Sequence, residues 1–282
     1  MDRREYAEVI ESRLRAESER MGREFGQHTV QSCHIDNLLP EDEVEKINAA
    51  FPDKNTMMLR KSLRENKYVA AQMDKYNPLL EEIVYAFQDL RVVKVVEEIT
   101  GIKGMLPDTH LYAGGISLMA KGNFLNPHLD NSHDKDRKLY RVLNLLFYVT
   151  PDWSTTNGGN LELWDDGPKK PQREITSHFN RLALMATHEK SWHSVSPVKV
   201  DRSRCCVSNY YFSEKPLEEH EYFHVTSFRG RPEQPVRDVI LQTDIALRQG
   251  IRKVFKKGVV ENPHVYVKDE KTSESSGASG KN

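Results

Sequence analysis

The chain has 282 residues, 38% of them hydrophobic and 29% charged, with a formal net charge of −1. That is enough chain for one large domain with additions or two small ones, and so even a charge balance gives no electrostatic footprint for nucleic acid or an anionic membrane surface. No apolar run of about 18 residues occurs, and the opening "MDRREYAEVIESRLRAESER" lacks the apolar core of a secretory signal. Cys33, Cys205 and Cys206 are too few for a disulfide framework, so the expectation is a reduced, cytoplasmic protein.

Residues 2 to about 24 read as a charged helix with sparse apolar positions (Tyr6, Ile10, Leu14), an amphipathic flap on the domain surface. "TVQSCHIDNLLPEDEVEKINAAF" follows as a short strand, a turn and a helix opened at Pro40. Glu41, Asp42 and Glu43 fall in its first turn, where they suit the helix dipole. "NPLLEEIVYAFQDLRVVKVVEEITGI" has apolar residues at spacings of three and four and predicts a second helical stretch. From about residue 106 the texture changes to short β-type runs separated by turn residues. "RVLNLLFYV" (141–149) is apolar on both faces, as a buried strand is. "NLELW" follows the turn signal "NGG" (157–159), and "RLALMAT" (181–187) and "RCCVSNYYFS" (204–213) are further strands. Strands of this kind after a helical opening predict a mainly β fold, a sandwich or jelly roll with helices on one side. "PVRDVILQTDIALRQGIRKVF" returns to helical spacing, with Val236, Ile240, Leu247, Ile251 and Val254 on one face. "KDEKTSESSGASGKN" predicts a disordered tail.

Within the β-rich section, "NPHLDNSHDK" places His128 and Asp130 one residue apart, and "SWHSVSPV" supplies His193 after 193 − 128 = 65 residues. A strand puts positions i and i+2 on one face, so His128 and Asp130 can reach one ion, with His193 arriving from a neighbouring strand. Two histidines and one carboxylate are the ligand set of the non-haem iron(II) facial triad, which leaves one face of the octahedron open. Arg204 opens an apolar strand 204 − 193 = 11 residues later, where a charge is costly unless an anion pairs it, and a carboxylate matches its planar fork. A second His-x-Asp, His34 and Asp36, lies in the strand-turn-helix opening with no such partners downstream.

These residues carry a resemblance. "HLD", "RVLNLLFYVTPDW", "NGGNLELWD", "FNRLALM", "WHSVSPV" and "RCCVSNYYF", in this order, resemble the iron(II)/2-oxoglutarate-dependent dioxygenases, and specifically their prolyl-hydroxylase-like branch. "HIDNLLPEDEVEKI" is similar to the opening of such domains, so the likeness covers roughly residues 27 to 215. It implies a double-stranded β-helix core and His128, Asp130 and His193 as the iron ligands. It also implies Arg204 as the partner of the 2-oxoglutarate C5 carboxylate, with Tyr148 hydrogen-bonded to the same group. Asn144 and Cys206 face that interior by strand alternation, and Asn144 is placed among the co-substrate contacts. The implied cofactors are Fe(II), 2-oxoglutarate as co-substrate and O2, with ascorbate as a candidate reductant. The implied reaction is hydroxylation of an unactivated C–H bond with release of succinate and CO2. Asp130 favours hydroxylation over halogenation, because halogenases of the superfamily have a small residue there.

The expected organisation is an N-terminal helix (1–26), an oxygenase domain (27–215, jelly-roll core about 105–215), a C-terminal helical extension (216–267) and the tail (268–282). The related enzymes acting on hypoxia-regulated proteins carry tyrosines before the metal motif where this chain has Met119 and Phe124, and the linker 131–140 is long and charged. Both departures favour a small-molecule substrate (an amino acid, natural-product or sugar intermediate) over the alternative of a prolyl residue in a protein. Neither nucleic acid nor membrane is an expected partner, and the helical additions offer a surface for self-association. Other readings of the jelly roll are a non-catalytic ligand-binding protein or a cupin-like metal hydrolase, which leaves Arg204 without a purpose. Arg202 rivals Arg204, Trp153 and Trp192 read as packing, and His133 and Asp134 as a solvated loop. The basic run 252–257 reads as a helix C-terminus rather than an anion-binding site.

Overall fold

A computed structural model describes residues 1–112, 114–170, 172–254 and 266. The tail expected over 268–282 lies outside the described residues, as do the side chains of the basic run 252–257.

The chain opens with helix α1 (Arg3–Phe25), started by a capping box in which Asp2 and Glu5 exchange hydrogen bonds with each other's backbone. Strand β1 (Ser32–Ile35) and helix α2 (Glu41–Ala49) follow, then a hairpin of β2 (Met58–Lys61) and β3 (Glu65–Ala70). The second helical stretch is two helices, α3 (Pro78–Ala86) and α4 (Leu90–Thr100). Asp89 breaks it by accepting the Arg91 N–H as the cap of the second. Ten strands come next: β4 (Met105–Pro107), β5 (Gly115–Met119), β6 (Phe124–Leu129), β7 (Tyr140–Tyr148), β8 (Leu161–Leu163), β9 (Arg173–Ile175), β10 (Arg181–Ala186), β11 (His193–Val195), β12 (Arg204–Ser213) and β13 (Ser227–Phe228). Helix α5 (Pro235–Val254) follows them.

The strands pair in the order β1-β10-β7-β12-β5-β3-β6-β11-β8-β9, with β13 on β6, β2 on β3 and β4 on β12. This is a mainly antiparallel double-stranded β-helix. Its two halves meet in one apolar cluster, where Tyr148, Ala183, Met185 and Cys206 of the larger half pack with Leu161, Leu163 and Ile175 of the smaller. The outer face of the larger half (Leu143, Leu145, Phe147, Leu184, Cys205, Val207) packs instead on the helices. Adjacent Cys205 and Cys206 thus enter different clusters, as strand alternation requires.

Two helices differ from expectation. Tyr6, Ile10, Leu14, Met21 and Phe25 of α1 are all buried against α3 and α4, so α1 is a core element and not a flap. Burying each such side chain is worth about 1.5–3 kcal/mol, which a sparse apolar stripe supplies when every member finds a partner. In α5 the face holding Val236, Ile240 and Leu247 points outward, with exposures of 74%, 49% and 65%, while Leu241 and Asp238 are turned to the body.

Between β4 and β5, Asp108 is 6% exposed and its Oδ2 has no hydrogen-bond partner among the described residues. Burial pushes its carboxyl up to about 6, against the pull of the Tyr112 and His110 backbone and of Arg141. Such a group binds more protons folded than unfolded, so it favours the fold below about pH 4 and that contribution is lost as pH rises through about 6. Asp108→Asn is therefore expected to raise stability near pH 8 by roughly 2–3 kcal/mol and to leave it unchanged near pH 3.5, read as the pH dependence of Tm.

Candidate metal centre

His128 and His193 face each other across the antiparallel pair of β6 and β11, where they are register partners. Their rings lie 4.1 Å apart. Asp130, just past the end of β6, closes the group: its Oδ1 is 3.6 Å from His128 Nε2 and its Oδ2 3.7 Å from His193 Nε2. The three ligand atoms lie within 4.8 Å of one another, and this is the one such cluster of three His, Cys, Asp or Glu side chains among the described residues.

Both rings are held by the same local device. The Nδ1 of His128 bonds the Asn126 carbonyl at 3.0 Å, and that of His193 bonds the Ser191 carbonyl at 2.9 Å. Only a protonated Nδ1 can donate to a carbonyl, so the free lone pair is on Nε2, which points into the cluster. Burial first, then the neighbouring His128, push His193 down to about 3, which keeps it neutral and a donor to a metal. Burial alone would raise the Asp130 carboxyl, but Arg141 and the two imidazoles hold it well below the usual carboxylate range. Two imidazoles and one anionic carboxylate, aimed at a common point, fit a divalent iron with an open face.

A second feature fits the co-substrate. Arg204 begins β12 and is 4% exposed. Among the described residues it has no carboxylate partner: Nη2 meets the Met119 sulfur at 3.0 Å, the guanidinium also bonds the Cys206 thiol, and Nε bonds nothing. Its guanidinium lies over the Tyr148 ring at 5.3 Å. Gly159 makes room for its stem, since a Cβ there would sit 3.2 Å from Arg204 Cδ and the residue's φ is +68°. An unpaired buried cation costs several kcal/mol, and a carboxylate between it and the triad removes that cost.

The family model of the 2OG-Fe(II) oxygenase superfamily matches residues 114–212, which include all three triad residues and Arg204. Residues 114–212 thus match a 2OG-Fe(II) oxygenase domain. A curated relative, the prolyl 3-hydroxylase OGFOD1 of Mus musculus, is 27% identical over 96 residues. The aligned segment is 32% of this chain and spans only 17% of the relative's length. Among solved structures, a Pseudomonas putida prolyl-4-hydroxylase superposes with a TM-score of 0.51 at 15% identity, covering 70% of this chain and 98% of that chain. The non-heme alpha-ketoglutarate-dependent carbocyclase SnoK of nogalamycin biosynthesis does so with a TM-score of 0.51 at 14% identity, covering 76% and 86%. At these identities the superpositions establish the fold.

The structure places the remaining sequence candidates as follows. Tyr148 is 1% exposed, beside Arg204 and Ser177. Asn144 is drawn to the triad rather than toward Arg204: its Nδ2 donates to Asp130 Oδ2 at 2.8 Å. Arg202 is exposed and donates to the Pro151 carbonyl at 2.6 Å, so it does not compete for the interior. His34 pairs with Glu24 and Asp36 with Arg181, away from the triad. Trp153 is packing, its indole N–H on the Gly158 carbonyl. His133 is buried rather than solvated, against Tyr140 and Phe223.

Sequence reasoning missed Arg141. It is 2% exposed, 3.5 Å from Asp130 and 4.3 Å from the Tyr210 ring centroid, and its Nε and Nη2 have no hydrogen-bond partner among the described residues. Strict alternation from Tyr148 sends Arg141 to the helix side. The register instead slips between Tyr211 and Phe212, which pair with Leu143 and Arg141, so Val142 is the extra residue of a bulge. That bulge turns Arg141 inward.

Proposed function

We propose that the oxygenase is an iron(II)- and 2-oxoglutarate-dependent hydroxylase in which His128, Asp130 and His193 hold the metal and Arg204, with Tyr148, holds the C5 carboxylate of 2-oxoglutarate. The observation that carries this reading is the convergence of two Nε2 lone pairs and one ionised carboxylate, together with a buried Arg204 guanidinium that has no carboxylate partner among the described residues. When bound there, iron(II) with 2-oxoglutarate and O2 supplies oxidation of a substrate C–H to C–OH, coupled to conversion of 2-oxoglutarate to succinate and CO2.

The chain's own residues do the rest. Asn126 and Ser191 fix the imidazole tautomers, and Asn144 and Arg141 hold the Asp130 carboxylate ionised and oriented. Arg204 sets the direction in which the co-substrate enters, and the apolar cluster around Tyr148 keeps water from its far end.

For the substrate, Arg141 supports a small molecule bearing a carboxylate or another strong acceptor. It lies beside Asp130 at the opposite end of β7 from Tyr148, with Nε and Nη2 unspent among the described residues, so an acceptor held there would sit next to the triad. Succinate release screened over small carboxylic acids and over prolyl peptides tests this choice. Turnover with the acids and none with the peptides is expected, and turnover with peptides alone would reverse it. The likeness to OGFOD1 and to the bacterial prolyl-4-hydroxylase favours the second reading, in which Arg141 meets a peptide carbonyl.

Arg141→Met keeps volume and removes the charge. Its expected effect is a drop of about 30-fold or more in kcat/KM for the substrate, with 2-oxoglutarate affinity within a few-fold of wild type. Equal loss of both would place Arg141 in the co-substrate site.

A further inference from the structure

The family match ends at Ser213's neighbour Phe212, yet the chain returns to the metal after it. Residues 224–231 run along the outer side of the strand that carries His128. The His224 carbonyl accepts the Ser132 N–H at 3.1 Å, β13 pairs Ser227 with Leu129 and Phe228 with His128, and the Arg229 N–H bonds the Pro127 carbonyl at 2.8 Å. Phe228 stacks on the His128 ring, centroids 4.9 Å apart and planes 13° apart, and is 6% exposed.

Three residues on, Arg231 reaches the strand that carries His193. Its two terminal nitrogens bond the Glu162 carboxylate at 3.1 and 2.6 Å, and one also bonds the Val195 carbonyl at 3.1 Å. Glu162 in turn accepts from the Ser194 hydroxyl, which receives the Trp164 indole N–H. Both charges are nearly fully buried. The segment is anchored from behind by α5, where Asp238 takes Arg229, Lys169 and the Gly230 N–H, and Asp244 pairs with Arg64 of the β2–β3 turn.

We propose that residues 224–231 are a positioning part of the metal centre, so that the working oxygenase of this chain extends through α5. The bond from His128 Nδ1 to Asn126 fixes one point of the ring, but the ring can still swing about that point, and its Nε2 aim depends on the plane. A flat aromatic face pressed on it removes that freedom. Arg231 does the corresponding work for β11 by tying Glu162 on one neighbouring strand to the backbone of Val195, two residues from His193. The inference rests on the reading of His128, Asp130 and His193 as metal ligands.

The test uses the full chain with Phe228→Leu, which keeps an apolar side chain and loses the flat face, and Phe228→Tyr, which restores it. Arg231→Lys is a third variant, keeping the charge without the fork. Iron(II) affinity is measured anaerobically, and Tm is measured without metal. Phe228→Leu is expected to weaken iron binding by roughly 10- to 100-fold with the metal-free Tm changed little, and Phe228→Tyr to recover most of the loss. Arg231→Lys is expected to weaken it in the same direction. Iron affinity equal to wild type in Phe228→Leu, whatever happens to Tm, would reduce the segment to ordinary packing and overturn the proposal. Wild type that binds no iron would instead defeat the metal reading itself, and this inference with it.

Discussion

In the iron-loaded protein, Arg204→Ala is expected to lower the affinity for 2-oxoglutarate by roughly 30- to 1,000-fold while leaving iron(II) affinity within a few-fold of wild type. Truncating one partner of a buried, hydrogen-bonded charge pair costs about 2–5 kcal/mol, much of it the penalty of leaving the other charge unpaired. Arg204 has the burial for a large effect and no carboxylate to share with among the described residues. Arg204→Lys restores charge without the bidentate fork and should recover only part of the loss. The readout is the 2-oxoglutarate concentration that half-saturates the chelate's visible band under anaerobic conditions. An unchanged value in Arg204→Ala would move the carboxylate site elsewhere, with Arg141, buried 3.5 Å from Asp130 and with donor atoms unpartnered among the described residues, as the next candidate.

The second large effect is on the metal. His193→Ala removes a proposed ligand whose Nδ1 is already committed to the Ser191 carbonyl and whose Nε2 faces Asp130. Iron(II) affinity is expected to fall by more than about 100-fold, beyond the 10- to 100-fold that loss of an outer hydrogen-bond partner costs. Asn144→Ala is the comparison: it strips one hydrogen bond from Asp130 and leaves all three ligands, so its loss should stay within the smaller range. Isothermal or optical titration with iron(II) separates the two. Equal effects of both variants would mean that His193 does not ligate.

What could be read in the sequence follows from how local each feature is. β7 and β12 were legible as apolar runs, and they are the strands that carry Tyr148 and Arg204. The triad was legible because His128 and Asp130 share a strand face and His193 follows at a distance that allows a return. The break between α3 and α4 was not, because Asp89 caps a helix inside an otherwise unbroken apolar period. The β2–β3 hairpin was missed since "MLRKSLRENKYVA" has charges at both parities. It is set by pairing with β5 and β6 and by Asn126, whose amide bonds the Leu63 carbonyl at 3.0 Å. Arg141 was hidden by a one-residue bulge that inverts the alternation upstream of it. The outward face of α5 shows the limit of periodicity: spacing identifies a common face, and only the tertiary anchors Asp238 and Leu241 decide which way it turns. Glu162 and Arg231 carry no local signal either, because their partnership spans 69 residues.

The most direct measurement is an anaerobic titration of the metal-free protein with iron(II) and then 2-oxoglutarate, followed in the visible region. One iron bound per chain, with a charge-transfer band that appears only when both are present and is lost in His193→Ala, is the predicted result. Iron bound without a band at saturating 2-oxoglutarate would contradict it, since the buried guanidinium and the open face of the triad would then not be joined by the co-substrate.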